Sequence, residues 1–248
     1  MVNSGSSANL IGLLSLKLEK GTKVITPSLT FSTTIAPIVQ CDLIPYFVDV
    51  EEDTLQINTS KLKGMDLDNV SAICVPNLIG NIANWNEIYN FAKENNLKVI
   101  EDSADTIGYT YKTKLKNWSD ISTTSFYASH VITGAGFGGM VTYSNSEEYN
   151  HGLSLRAWGR RSSLYGESED YQRRFSAKID GIDYDDKYIF DDLGYNFFPS
   201  EISAAFALVQ LKKLKENIRK RSENFNFLCN SFSSSLNFHV PSSYQNAE

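Results

Sequence analysis

The chain has 248 residues, a formal net charge of -6 and a pI near 5.2, so a broadly basic nucleic-acid-binding surface is not expected. No uninterrupted apolar run is long enough to cross a bilayer, and the N-terminus lacks a charged segment followed by an apolar signal core. We therefore read a cytoplasmic protein with neither a nucleic-acid nor a membrane partner. Its composition, 42% hydrophobic and 21% charged, suits one large globular domain or one and a half small ones. Cys41, Cys74 and Cys229 lie far apart, and His130, His151 and His239 show no paired spacing, so no metal site is expected.

In chain order, Asn3-Ser4-Gly5-Ser6-Ser7-Ala8-Asn9 precedes an apolar run that starts a helix. Lys23-Val24-Ile25-Thr26 reads as a strand before Pro27, and residues around 33–40 as a helix. Strands follow at 44–50 and 71–75; Cys74 in the second behaves as a small apolar side chain. Helical spacing over 84–95 gives an apolar face of Trp85, Ile88, Tyr89 and Phe91 and leads into the strand 97–101. Short β-branched runs separated by amphipathic helices indicate an α/β fold with a largely parallel sheet. Residues 160–186 are polar and turn-rich and read as a long excursion. A periodic segment from 199 to about 232 carries an apolar stripe of Ile202, Ala205, Phe206, Val209, Leu211 and Leu214. Its lysines read as a solvated face rather than a phosphate site.

Four groups carry chemistry. The serine-rich helix start offers backbone amides and hydroxyls to a phosphate, although such caps precede many helices. Phe31, just after a strand, either stacks on a flat ligand or belongs to the core. Asp102 ends an apolar strand, where polar residues line the ligand crevice of parallel sheets; the competing reading is a helix cap. His130 ends Ser125-Phe126-Tyr127-Ala128-Ser129-His130, before the glycine turn Gly134 to Gly139. A lone histidine there is either a hydrogen-bonded structural residue or a proton carrier near neutral pH.

Taken together and in order, these motifs resemble the DegT/DnrJ/EryC1/StrS sugar aminotransferase family of pyridoxal-phosphate (PLP) enzymes. In that family the residue matching His130 is usually a lysine that anchors the cofactor covalently; imidazole cannot do this but can move protons. The resemblance implies the large domain of an aspartate aminotransferase-like fold, three-layer α/β/α with a mostly parallel mixed sheet. It places a PLP-binding large domain at 1–210 and a long helix with the start of a smaller C-terminal domain at 211–248. It also implies that further residues of the family precede Met1 and follow Glu248. It assigns the cofactor phosphate to Ser6, Ser7 and Ser125, ring stacking to Phe31, the pyridine nitrogen to Asp102, and a place against the ring to Asp105. Asn196, in Leu193-Gly194-Tyr195-Asn196-Phe197, would reach the phosphate of a neighbouring subunit, which implies a homodimer with shared active sites.

Histidine for lysine characterises the family's 3-dehydratases of nucleotide-linked 4-keto-6-deoxy sugars, which serve dideoxysugar and polysaccharide synthesis. Some hold a [2Fe–2S] cluster whose cysteines would fall near Ser103-Ala104 and between Arg160 and Arg174. No cysteine stands there, so no iron–sulfur cluster is expected. The resemblance then implies pyridoxamine phosphate (PMP) as working cofactor and glutamate or a similar amino donor. His130 would move a proton at the cofactor's C4′ while the sugar's C3 hydroxyl leaves. Two other readings stay open: a sugar aminotransferase that tolerates histidine, and a non-catalytic relative that binds cofactor or nucleotide sugar.

Overall fold

The computed structural model describes residues 1–109, 117–165 and 171–243. In chain order it contains α1 (Gly5–Ser15), β1 (Lys23–Pro27), α2 (Ser32–Gln40), β2 (Ile44–Val48), α3 (Thr59–Leu62), β3 (Val70–Pro76), α4 (Trp85–Glu94) and β4 (Lys98–Asp102). There follow β5 (Ile121–Ser125), β6 (Gly139–Tyr143), α5 (Ser146–Arg156), α6 (Tyr171–Arg174), β7 (Ala177–Ile179), β8 (Ile182–Tyr184), α7 (Glu201–Leu211) and α8 (Leu214–Phe232).

Six strands form one sheet in the order β2-β1-β3-β4-β5-β6. All neighbours run parallel except β5 and β6, which pair antiparallel. Helices cover both faces, giving the three layers expected. Because side chains alternate along a strand, each buried strand feeds two cores. Ile73, Val75 and Val99 point into one with Trp85, Ile88 and Ala92 of α4. Ala72, Cys74 and Ile100 point into the other, with Leu13 and Ile38 from α1 and α2. That alternation decides where the two carboxylates at the end of β4 face. Glu101 follows Val99 toward α4, and Asp102 follows Ile100 toward α1 and α2.

The strand and helix assignments from β1 to β4 agree with the spacing of apolar residues. Asn84 caps α4 by accepting the Glu87 N–H, and α4 buries Trp85 and Ile88 of the expected face together with Ala92, while Tyr89 and Phe91 are only half-buried. The polar excursion contains α6 and the β7–β8 hairpin, while residues 166–170 of it lie outside the described residues.

The segment at 199–232 differs from expectation. It is two helices, broken at Lys212 and Lys213, and its apolar stripe is not core. Ile202 is 79% exposed, and Val209 and Leu211 are also exposed, whereas Ser203 and Ala207 are buried. The small side chains let α7 press against the Gly134 turn, where a built Cβ would lie 3.3 Å from the Ser203 carbonyl. The larger apolar residues are thereby turned outward. Periodicity located the helices but not the face they bury.

Candidate active site

Asp102 is 5% exposed and held by three donors. Oδ2 accepts from Asn9 Nδ2 at 2.8 Å and Thr34 Oγ1 at 2.9 Å, and Oδ1 accepts from the Ala104 N–H at 3.1 Å. Asn9 is itself fixed, accepting from Thr123 Oγ1 at 2.5 Å and donating to the Thr33 carbonyl at 3.1 Å. Burial pushes the Asp102 carboxyl above its ordinary range, and the hydrogen bonds from Thr34, Asn9 and Ala104 pull the other way. A carboxylate offers about four lone-pair positions. Oδ1 therefore keeps room for one more donor, such as a protonated ring nitrogen.

The first turn of α1 lies beside the end of β5. Ser4 caps the helix, accepting the Ser7 N–H at 3.1 Å and donating to Ser7 Oγ at 3.0 Å. Gly5 allows the approach: a Cβ built there would stand 2.6 Å from Ser125 Cβ. Gly139 allows a second one, since a Cβ there would meet the Ser4 carbonyl oxygen at 2.3 Å. Ser6 is exposed, Ser7 and Ser125 are buried, and no acidic residue occupies the first turn. The positive end of the helix dipole and these hydroxyls form a cradle suited to a phosphate.

His130 sits in a turn closed by its own N–H on the Tyr127 carbonyl at 3.1 Å. Its side chain is 18% exposed, with Nδ1 3.3 Å from the Ser125 carbonyl oxygen and Nε2 3.5 Å from Asp105 Oδ1. Asp105 Oδ2 accepts the Ile79 N–H at 3.0 Å. Tyr127 stands edge-on to the imidazole, ring centres 6.0 Å apart.

Phe31 is 69% exposed at the start of α2, which rules out a core role and leaves its face free beside Thr34. Asn196 is exposed on the loop tied to α5 by Tyr195 N–H to the Leu155 carbonyl at 2.7 Å and to the chain start by Asn3 N–H to Phe197 at 3.0 Å. The structure thus joins Asp105, His130 and Ser125 directly, and brings Gly5 to Ser125. Sequence reasoning missed Asn9, Thr34 and Ile79. The available signal for Asn9 was a polar residue inside the buried run Ala8-Asn9-Leu10-Ile11; Thr34 and Ile79 gave none. Among the described residues, no three histidine, cysteine or carboxylate side chains gather as a metal site, and no helix is long and apolar enough to cross a membrane.

A model of the DegT/DnrJ/EryC1/StrS aminotransferase family matches residues 1–247. The chain belongs to this family. It is 38% identical over 237 residues to the dTDP-4-dehydro-2,6-dideoxy-D-glucose 3-dehydratase of Saccharopolyspora spinosa, covering 91% of this chain and 51% of that protein. Its fold superposes with a TM-score of 0.80 on the E. coli GDP-4-keto-6-deoxy-D-mannose-3-dehydratase structure with bound hydrated PLP, at 30% identity, over 94% of this chain and 60% of that one. A TM-score of 0.80 also relates it to an aminotransferase from Psychrobacter cryohalolentis, at 25% identity over 94% and 56% of the two chains. The chain thus spans about half the length of the curated relative it matches.

Proposed function

We propose that this chain belongs to a PLP/PMP enzyme that removes the C3 hydroxyl of a nucleotide-linked 4-keto-6-deoxyhexose. The observation that carries the reading is His130, an imidazole seated between Ser125 and Asp105 where the family usually carries lysine. When bound, PMP supplies an amine that condenses with the sugar ketone and a ring that takes up electrons. With PMP bound, Asp102 would keep the ring nitrogen protonated through the free position on Oδ1. Ser6, Ser7, Ser125 and the first amides of α1 would hold the phosphate, and Phe31 would cover the ring. His130 would accept a proton from C4′ and return one to the C3 hydroxyl, which would leave as water. The two electrons would come from the amine form of the cofactor, which would end as the aldehyde while the amine nitrogen leaves as ammonia; an amino donor such as glutamate would then restore the amine.

In this reading residues 1–210 form the cofactor-binding domain and 211–248 begin a smaller one. Asn196 serves a second copy across a homodimer, and the enzyme works in the cytoplasm. The exposed Asn196 and the outward apolar face of α7 support the dimer.

The test incubates the purified protein with PMP, glutamate and a panel of nucleotide-linked 4-keto-6-deoxy sugars, followed by mass spectrometry. A product lacking the C3 oxygen is expected. An amino sugar would establish an aminotransferase instead, and binding of PMP without turnover a non-catalytic relative. A His130→Lys variant given PLP should develop a visible absorption band that borohydride removes; a correctly folded variant with no band counts against the placement of His130.

A further inference from the structure

Resting on that dehydratase reading, we propose that Asp105 is the positioning residue of His130, and that a left-handed turn at Ile79 holds Asp105 in place. Both ring nitrogens of His130 face oxygen acceptors. Nδ1 meets the Ser125 carbonyl, which has no hydrogen to give, so the Nδ1 proton is fixed there. Nε2 is then the atom that exchanges protons, and it faces Asp105 Oδ1. The Ser125 carbonyl thus orients the ring through Nδ1, and Asp105 stands at the exchanging nitrogen, where it pairs with the imidazole once Nε2 carries a second proton.

Asp105 is in turn not free to wander. Its other oxygen takes the Ile79 N–H, a neutral donor that holds the carboxylate without cancelling its charge. Ile79 has φ 56° and ψ 24°, a conformation that a β-branched residue adopts only when its surroundings impose it. Ile79 is 56% exposed, so burial does not offset the strain.

The surroundings that impose it are buried amides beneath the turn. Gln56 Nε2 donates to the Leu78 carbonyl at 3.1 Å, and Gln56 Oε1 accepts the Leu78 N–H at 3.2 Å. Asn77 Oδ1 accepts from Ala83 N at 3.1 Å and Trp85 Nε1 at 3.0 Å. A turn so anchored keeps its N–H aimed at Asp105 whatever residue occupies position 79. A proton taken up by His130 would therefore rest at Nε2, paired with Asp105, until an acceptor removes it.

The experiment reads the three histidine rings by long-range ¹H–¹⁵N spectroscopy without PMP, with His130→Gln assigning the signal of interest. It then measures kcat and KM for loss of the C3 oxygen. In Asp105→Asn the His130 ring resonances should move while those of His151 and His239 stay. The value of kcat should fall about 10- to 100-fold, a part of what positioned proton transfer contributes, with KM within about twofold. In Ile79→Gly, which retains the N–H, both readouts should match the parent. Should Asp105→Asn not fold, Asp105→Glu takes its place and should move the same resonances. Unmoved His130 resonances, or an unchanged kcat, in the carboxylate variant overturn the proposal. Moved resonances in Ile79→Gly overturn the role given to the turn. If the resonances move but the parent never removes the hydroxyl, the positioning stands and the dehydratase reading falls.

Discussion

Glu101 and Asp102 are neighbours on one strand, both buried, yet they face opposite layers and have different company. Glu101 Oε1 accepts from Asn77 Nδ2 at 2.9 Å, Ser103 Oγ at 2.8 Å and Tyr109 Oη at 2.5 Å. Its Oε2 accepts from Trp118 Nε1 at 2.9 Å. With about four lone-pair positions to fill, Glu101 is saturated and acts as a structural hub between β4, the Asn77 turn and the two stacked indoles of Trp85 and Trp118. A cavity of about 260 Å³ lies on this face, lined by Glu101, Trp118, Asp120 and Tyr143, and includes none of the residues around His130. Asp102 has only three donors and keeps a position open. Burial alone therefore does not distinguish the two carboxylates; the open acceptor position on Asp102 does.

Substitutions at the two carboxylates should separate these roles. Removing Asp102 as Asp102→Ala should weaken PMP binding by about 3–5 kcal/mol, the cost of breaking a buried charge pair, readable by fluorescence or calorimetric titration. Thermal stability without PMP should fall as well, by about 1–3 kcal/mol, because Thr34 and the Ala104 N–H lose their acceptor. Glu101→Gln should spare PMP binding. It places an amide donor against groups that are themselves donors, which should cost about 1.5–3 kcal/mol of unfolding free energy, while PMP affinity stays within about twofold. If Glu101→Gln abolishes PMP binding in a folded protein, or Asp102→Ala leaves it intact, the distinction fails.

Asp102 also carries a pH response. The Asp102 carboxyl is raised above 3.8 by burial, so the folded chain binds that proton more tightly than the unfolded one. Its contribution therefore favours folding at pH below 3.8 and is lost as pH climbs through the raised native value. Unfolding free energies without PMP should show Asp102→Asn gaining on the parent as pH rises across that window. A difference that stays flat, or runs the other way, would mean the carboxylate is better solvated than its surroundings suggest.

How much of this was legible follows from the same two residues. The apolar run Val99-Ile100 ending in Glu101-Asp102 located the strand, and the spacing of Trp85, Ile88, Tyr89 and Phe91 located the helix, but the layer each carboxylate faces was not legible. The order of the serine, carboxylate and histidine motifs located the cradle and His130. The partners that distinguish Glu101 from Asp102 were not legible. Asn77, Tyr109 and Trp118 on one side, and Asn9 and Thr34 on the other, come from different elements and meet only across the sheet. The outward stripe of α7 was illegible for a related reason: spacing sets a face, but the neighbour decides whether that face is buried.

The smallest effect tests the link between the two carboxylate neighbourhoods. The Asn77 turn is bound to Glu101 below and, through the Ile79 N–H, to Asp105 above. If the turn is imposed by its buried amides, Ile79 carries a left-handed backbone cost of about 1–2 kcal/mol. Glycine removes that cost and adds about 0.5–1 kcal/mol of lost backbone freedom. Ile79→Gly should thus stabilise the protein by up to about 1.5 kcal/mol in denaturant titration, in Asp105→Asn as well as in the parent, because the gain comes from position 79 alone. A loss of stability in both would instead mean that the exposed isoleucine side chain contributes packing which outweighs its backbone strain, and the turn would then depend on its residue as well as its anchors.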